Sequence, residues 1–192
     1  MKKNSINMLL ALVFGASSNA TTPSADEIIP VKAEESQVTW KAYKVTGSHM
    51  GTINLKEGAL IFDEGALTGG SFVVDMTSLV TTDLEGEYKQ KLEGHLKSED
   101  FFGVDEHPTS TLEFTKVEAT GKNSYEVTGD LTIKGITKPV TFDVSVYGNK
   151  ATATMKVDRA LYNVRYGSGS FFENLGDKTI YDEFDLVVDL EF

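Results

Sequence analysis

The sequence predicts an all-β domain of eight or nine antiparallel strands, and three observations carry that expectation. Apolar residues recur with a period of two over most of the chain, short turn-forming clusters separate those runs, and helical periodicity is confined to one stretch. Strands joined so closely by hairpins close into a barrel or pack as a sandwich.

The first segment reads as an export signal. Met1-Lys2-Lys3 is positive, the apolar run from Ile6 to Phe14 is too short to span a bilayer, and Ser18-Asn19-Ala20 offers small residues to a signal peptidase. Cleavage is expected after Ala20, giving a soluble periplasmic or secreted product that does not span a membrane. There is no cysteine, so neither a disulfide nor a lipoprotein acyl anchor is available. Residues 21–36, rich in Thr, Pro, Ser, Ala and acid, read as a flexible tether.

The domain is expected over 37–192. Val38, Trp40 and Ala42 alternate with polar neighbours; Ile53 and Leu55, Leu60 and Phe62, and Phe72, Val74 and Met76 continue the pattern, which reads as four strands. Leu112 and Phe114, Tyr125 to Ile133, Val140 to Val146, and Ala153 to Val157 follow. The last run is the cleanest: Phe184, Leu186, Val188, Leu190 and Phe192 share one face, against Asp185, Asp189 and Glu191 on the other. Turns are expected at Glu57-Gly58, Glu64-Gly65, Gly69-Gly70, Gly121-Lys122-Asn123, Gly129-Asp130, Gly135 and Gly148-Asn149.

One stretch breaks the period. Leu84, Tyr88, Leu92 and Leu96 recur every fourth residue, Thr82 with Glu85 has the spacing of a capping box, and Glu85/Lys89, Glu87/Lys91 and Glu93/Lys97 stand four apart. This predicts one amphipathic helix, followed by a short turn at Ser98-Glu99-Asp100 that sends Phe101 and Phe102 inward. One or two short helices thus cap an end of the sheet.

Charge and motifs exclude several functions. The net charge of −11 becomes −13 once Lys2 and Lys3 leave with the signal, which disfavours nucleic acid and anionic membrane surfaces. His49, His95 and His107 lack the close spacing of a zinc motif. Gly167-Ser168-Gly169-Ser170 is no nucleophile elbow between strand and helix, and no glycine-rich loop precedes a helix to hold phosphate. No catalytic residue and no metal are therefore expected. The apolar supply is large, with 11 Phe, 7 Tyr and one Trp. An eight-stranded barrel is wide enough either to fill with side chains or to hold one slender ligand, and periodicity is compatible with both.

An ordered series of segments closely resembles the YceI-like family of bacterial exported proteins. These are Val38-Thr39-Trp40 with Lys44 to Thr52, Leu67 to Phe72, Leu92 to Phe102, His107-Pro108-Thr109, Thr128 to Pro139, Asp158-Arg159, and Arg165 to Phe172. The resemblance implies an antiparallel, lipocalin-like up-and-down β-barrel of about eight strands enclosing a long apolar chain, described for members as polyisoprenoid or fatty-acid-derived. It implies no catalytic activity. The aromatic residue usual before the proline is here His107.

On this basis the expected function is an exported protein that sequesters or carries a polyisoprenoid, quinone or fatty-acid-derived lipid, with no other cofactor. Trp40, Phe62, Phe72, Val74, Met76, Phe114, Phe142, Val144, Met155 and Phe171 would line the tunnel, and Leu92, Leu96, Phe101 and Phe102 would close it. His49, Arg159 and Arg165 would meet a polar head at the mouth, although Arg165 suits a carboxylate partner at least as well. A homodimer is compatible with exposed barrel faces. The alternatives are a filled barrel with a structural or stress role, and a histidine-dependent metal hydrolase.

Overall fold

A computed structural model of the chain describes residues 26–192; the expected signal segment and residues 21–25 of the tether lie outside the described residues. Nine strands form one sheet: β1 (Glu27–Pro30), β2 (Gln37–Lys44), β3 (Gly47–Asp63), β4 (Ala66–Thr81), β5 (Thr109–Ala119), β6 (Ser124–Ile133), β7 (Ile136–Tyr147), β8 (Lys150–Asp158) and β9 (Ile180–Glu191). From β2 to β9 each strand pairs antiparallel with the next in sequence, and β9 returns to β2. The sheet therefore closes as an eight-stranded up-and-down barrel, the expected class, with β1 as an added edge on β3.

Alternation sets which side chains point inward. Val127, Leu131 and Ile133 of β6 are buried between exposed or half-exposed neighbours, and Trp40 of β2 sits opposite Gly51 of β3, its ring covering the position where a side chain would stand. Two hairpins use left-handed residue pairs, Glu64-Gly65 and Lys134-Gly135, whose positive φ at both positions matches the twist of the flanking strands.

Four expectations are corrected. Residues 27–36 are not a tether: Ile28-Ile29-Pro30-Val31 is an apolar run inside the polar stretch, β1 registers Glu27 against Phe62, and the Val31 and Lys32 N–H groups donate to Gly58 O and Glu191 O at 2.8 and 2.7 Å. Averaged composition hid that run. Ile53, Leu55, Leu60 and Phe62 belong to one long strand, because the register shift between Leu55 and Glu57 absorbs the break at Gly58.

Gly58, Gly69-Gly70 and Gly129-Asp130 are strand residues rather than turns. A Cβ at Gly58 would meet the Phe72 ring at 2.5 Å, and one at Gly70 the Phe114 ring at 3.0 Å. These glycines make room for aromatic rings packed across the sheet.

The helix, α1 (Gly86–Lys97), begins later than the capping box predicts. Thr82 is still tied to the sheet, its N–H donating to Met50 O at 3.0 Å, so its hydroxyl caps nothing. Only the Glu87–Lys91 pair forms as expected, at 2.7 Å. Glu93 instead accepts from Thr81, Lys89 lies 3.8 Å from Glu93, and Lys97 donates to Thr77 O. Tyr88 is 76% exposed, so the apolar stripe reduces to half-buried Leu92 and Leu96.

Strand direction decides where the site lies. The β2–β3 and β6–β7 hairpins and both long connections, 82–108 and 159–179, fall at one end of the barrel. The other end carries the remaining hairpins and β1, and is stopped by Phe62 against Phe192, ring centroids 5.7 Å apart.

Candidate ligand-binding site

Two carbon-lined chambers lie along the barrel axis. The upper one, about 120 Å³, runs beneath the long connections and is bounded by Trp40, Met76, Leu79, Leu96, Phe101, Phe102, Arg159, Tyr181 and Phe184. The lower one, about 80 Å³, lies among Phe72, Phe114, Phe142, Val144 and Met155. Val38, Val74, Leu131 and Leu186 border both, so the chambers meet at a waist. For comparison, an apolar cavity of ~150 Å³ admits one benzene ring. By that yardstick the two chambers together hold an apolar chain of roughly eight carbons, and a longer one enters as the wall side chains yield or extends out of the mouth.

Of the residues expected in the tunnel, Trp40, Phe72, Val74, Met76, Leu96, Phe101, Phe102, Phe114, Phe142, Val144 and Met155 border a chamber. Phe62, Leu92 and Phe171 do not. Phe62 plugs the far end, Leu92 is half-buried one turn before Leu96 on α1, and Phe171 is 40% exposed on the 159–179 connection with the Arg165 guanidinium 4.9 Å above its ring. The waist residues Val38, Leu131 and Leu186, and Phe184 above them, were readable as members of inward faces, but nothing in the sequence places them where the chambers meet.

The three expected head-group residues have different fates. The His49 Nδ1 lies 2.9 Å from Asp83 Oδ2, and His49 borders neither chamber. Burial pushes the Asp83 carboxyl up, but the bonds from His49 and from Met50 N–H outweigh it and leave it below the usual range. Arg165 pairs with no carboxylate among the described residues; its Nε donates to Asn163 Oδ1 at 2.5 Å. Arg159 borders the upper chamber, 3% exposed, and its donors are spent on the backbone: Nη1 on Val164 O and Tyr166 O, Nη2 on Ile180 O, Nε on Tyr181 O, all at 2.9 to 3.2 Å.

Asp182 stands 3.3 Å from Arg159 Nη2 without hydrogen-bond geometry, its other oxygen accepting from Ser170. Desolvation draws the guanidinium pKa down, against Asp182 and Asp158, yet arginine stays charged. Arg159 thus ties the 159–179 connection over the mouth.

Polar groups are sparse at the chamber walls. Ser110 Oγ donates to Met76 Sδ at 3.1 Å, and the Trp40 Nε1–H is buried without a partner. Among the described residues no three His, Asp or Glu side chains converge as metal ligands. The arrangement offers an apolar space with few polar groups on its walls.

A model of the YceI-like domain matches residues 30–192. The chain belongs to the YceI-like domain family. It is 32% identical over 144 residues to a UPF0312 protein of Ectopseudomonas mendocina, covering 74% of this chain and 73% of that one. A UPF0312 protein of Azotobacter vinelandii is 30% identical over 118 residues, and the match spans 59% of its length and 61% of this chain.

Among solved structures, Burkholderia cenocepacia BcnA superposes with a TM-score of 0.62 at 22% identity, over 83% of this chain and 98% of that one. A polyisoprenoid binding domain from Saccharophagus degradans, implicated in plant cell wall breakdown, gives 0.55 at 14% identity over 84% and 95%. At these identities the likeness is one of fold.

Proposed function

We propose that this YceI-like protein is an exported, non-catalytic carrier that sequesters one slender apolar chain, a polyisoprenoid, quinone tail or fatty-acid-derived lipid, along the barrel axis. The observation that carries the reading is the pair of apolar chambers that share a wall at Val38, Val74, Leu131 and Leu186 beneath the two long connections. Each buried CH₂ contributes roughly 0.8 kcal/mol, so affinity grows with tail length and needs no sharp polar motif. The polyisoprenoid-binding structural relative supports the ligand class.

Protein purified after export from an expressing bacterium, extracted with organic solvent and examined by mass spectrometry, should yield one lipid chain per barrel. Trp40, the single tryptophan, borders the upper chamber, so added geranylgeraniol should change its fluorescence saturably. Protein that carries no lipid and whose Trp40 emission ignores prenyl alcohols would rule the carrier out. It would favour the second reading, a barrel filled by its own side chains, which has one observation behind it: the Phe72–Phe114–Phe142 stack, centroids 5.5 and 5.8 Å apart, already occupies much of the lower half.

A further inference from the structure

Of the eleven large apolar side chains left in water among the described residues, six lie together at the mouth: Val45, Leu161, Tyr166, Phe171, Phe172 and Tyr181, each 40% to 52% exposed, while Ile28 and Tyr147 stand alone at the far end. Leu161, Tyr166, Phe171 and Phe172 lie on the 159–179 connection, and Val45 and Tyr181 are tied to it: Val45 N–H donates to Thr179 O, and Arg159 holds the carbonyls of Tyr166 and Tyr181 together. Exposed apolar area so concentrated marks an interaction site.

The exposed charges beside it balance: on the 159–179 connection Arg165 and Lys178 stand against Glu173 and Asp177, with Arg159 buried beneath them. Between Tyr166, Phe172 and Leu175 runs an open groove flanked by Arg165 and Lys178, with Asp100 also on its wall.

We propose that this rim seats the protein on a zwitterionic phospholipid bilayer, Phe171 and Phe172 entering the interfacial layer and the groove receiving a head group. Arg165 and Lys178 match its phosphate and Asp100 its ammonium; Tyr and Phe are the side chains that settle at that depth. The overall negative charge opposes an anionic surface, which is why the bilayer is a zwitterionic one. The choice of a bilayer over another partner rests on the carrier reading, since a water-insoluble chain enters the mouth from a membrane.

Flotation of the exported protein with phosphatidylcholine–phosphatidylethanolamine vesicles tests this. The wild-type protein should float, the Phe171→Ser/Phe172→Ser variant should lose at least about tenfold in bound fraction, and Tyr147→Ser, at the far end, should float as wild type. Geranylgeraniol delivered in detergent should still alter Trp40 fluorescence in the double variant, because neither phenylalanine borders a chamber.

Wild-type protein that stays in the soluble fraction, or a double variant that floats equally, overturns the proposal. So does light scattering that finds a wild-type dimer and a monomeric double variant, which would assign the rim to self-association. Flotation without any prenyl-dependent change in fluorescence upholds the membrane surface and overturns the carrier.

Discussion

The imidazole of His95 and the ring of Tyr166 stand edge to face with centroids 4.3 Å apart, joining the two connections that close the barrel mouth. His95 also meets Phe101 at 5.6 Å, so the contact reaches the chamber wall. An aromatic pair of this kind contributes about 1 kcal/mol beyond its buried area. Tyr166→Ala should therefore raise the open population of the mouth about fivefold. Hydrogen exchange is the measurement: amides of 98–108 and 159–179 should exchange faster while those of β6 and β7 keep their protection. Unchanged exchange in both connections would count against a latch.

Arg159 is expected to act through stability rather than through a ligand head group. Lysine keeps the charge but cannot reach four carbonyl oxygens from a planar fork. Arg159→Lys should cost about 3 kcal/mol, lowering the calorimetric Tm by about 6–12 °C. A variant with unchanged Tm and weaker lipid binding would return Arg159 to the head-group role.

Two glycines should respond in opposite directions. A Cβ on Gly51 would stand 1.9 Å from the Val80 carbonyl oxygen and 2.6 Å from the Trp40 ring, and the oxygen belongs to backbone that cannot step aside. Gly51→Ala should cost at least about 3 kcal/mol. Gly94, inside α1, has open space around its Cβ position, so Gly94→Ala should stabilise by about 0.5–1 kcal/mol. Urea unfolding of both variants against wild type decides the signs.

The same glycines show where sequence reading succeeds and stops. The barrel was legible because alternation is local: Phe184 to Phe192 declares its inward face without reference to any other strand, and Glu64-Gly65 declares its hairpin. Gly58 and Gly70 read as turns in the sequence because a glycine that clears space for a ring on the next strand resembles one that supplies positive φ, and Gly129 for the same reason, its space being taken by the Glu113 carbonyl and Leu112. Most chamber residues followed from alternation, whereas Phe171 failed because it lies on a connection that no periodicity orients. The Arg159 knot and the His95–Tyr166 contact depend on how two long connections fold back, information that no short window contains.

The waist offers a test of how the ligand lies. Val74 borders both chambers, so Val74→Trp should fill the passage at a folding cost of about 1–3 kcal/mol. Binding of a long prenyl chain should weaken on the order of a hundredfold as its lower carbons are excluded, while a short chain confined to the upper chamber keeps its affinity. Calorimetric titration with prenol, whose chain fits the upper chamber, and with geranylgeraniol separates the two. Equal losses for both lengths would mean that the lower chamber is never occupied.

Acid should loosen the attachment of α1 to the barrel, and the sign follows from Glu93. Its Oε1 accepts from the Thr81 N–H at 2.7 Å and the Thr81 hydroxyl at 3.0 Å, tying the helix to the end of β4. Burial pushes the Glu93 carboxyl up, but the two Thr81 bonds, with Lys89 and Lys97, outweigh it and leave the group below its ordinary value of 4.5. A carboxyl more acidic in the folded than in the unfolded state adds stability that is complete above the ordinary value and disappears as pH falls through the folded one. Asp75, Asp83 and Asp185 are lowered as well, so the acid limb of the wild type alone cannot be assigned to one group. The difference between wild type and Glu93→Gln can. It should be about 2 kcal/mol at neutral pH, the worth of hydrogen bonds to a charged acceptor, hold steady down to about pH 5 and shrink below it. Denaturant unfolding of the pair across that range reads it directly, and a difference that widens in acid would show that Glu93 does not bind its proton less readily in the folded protein.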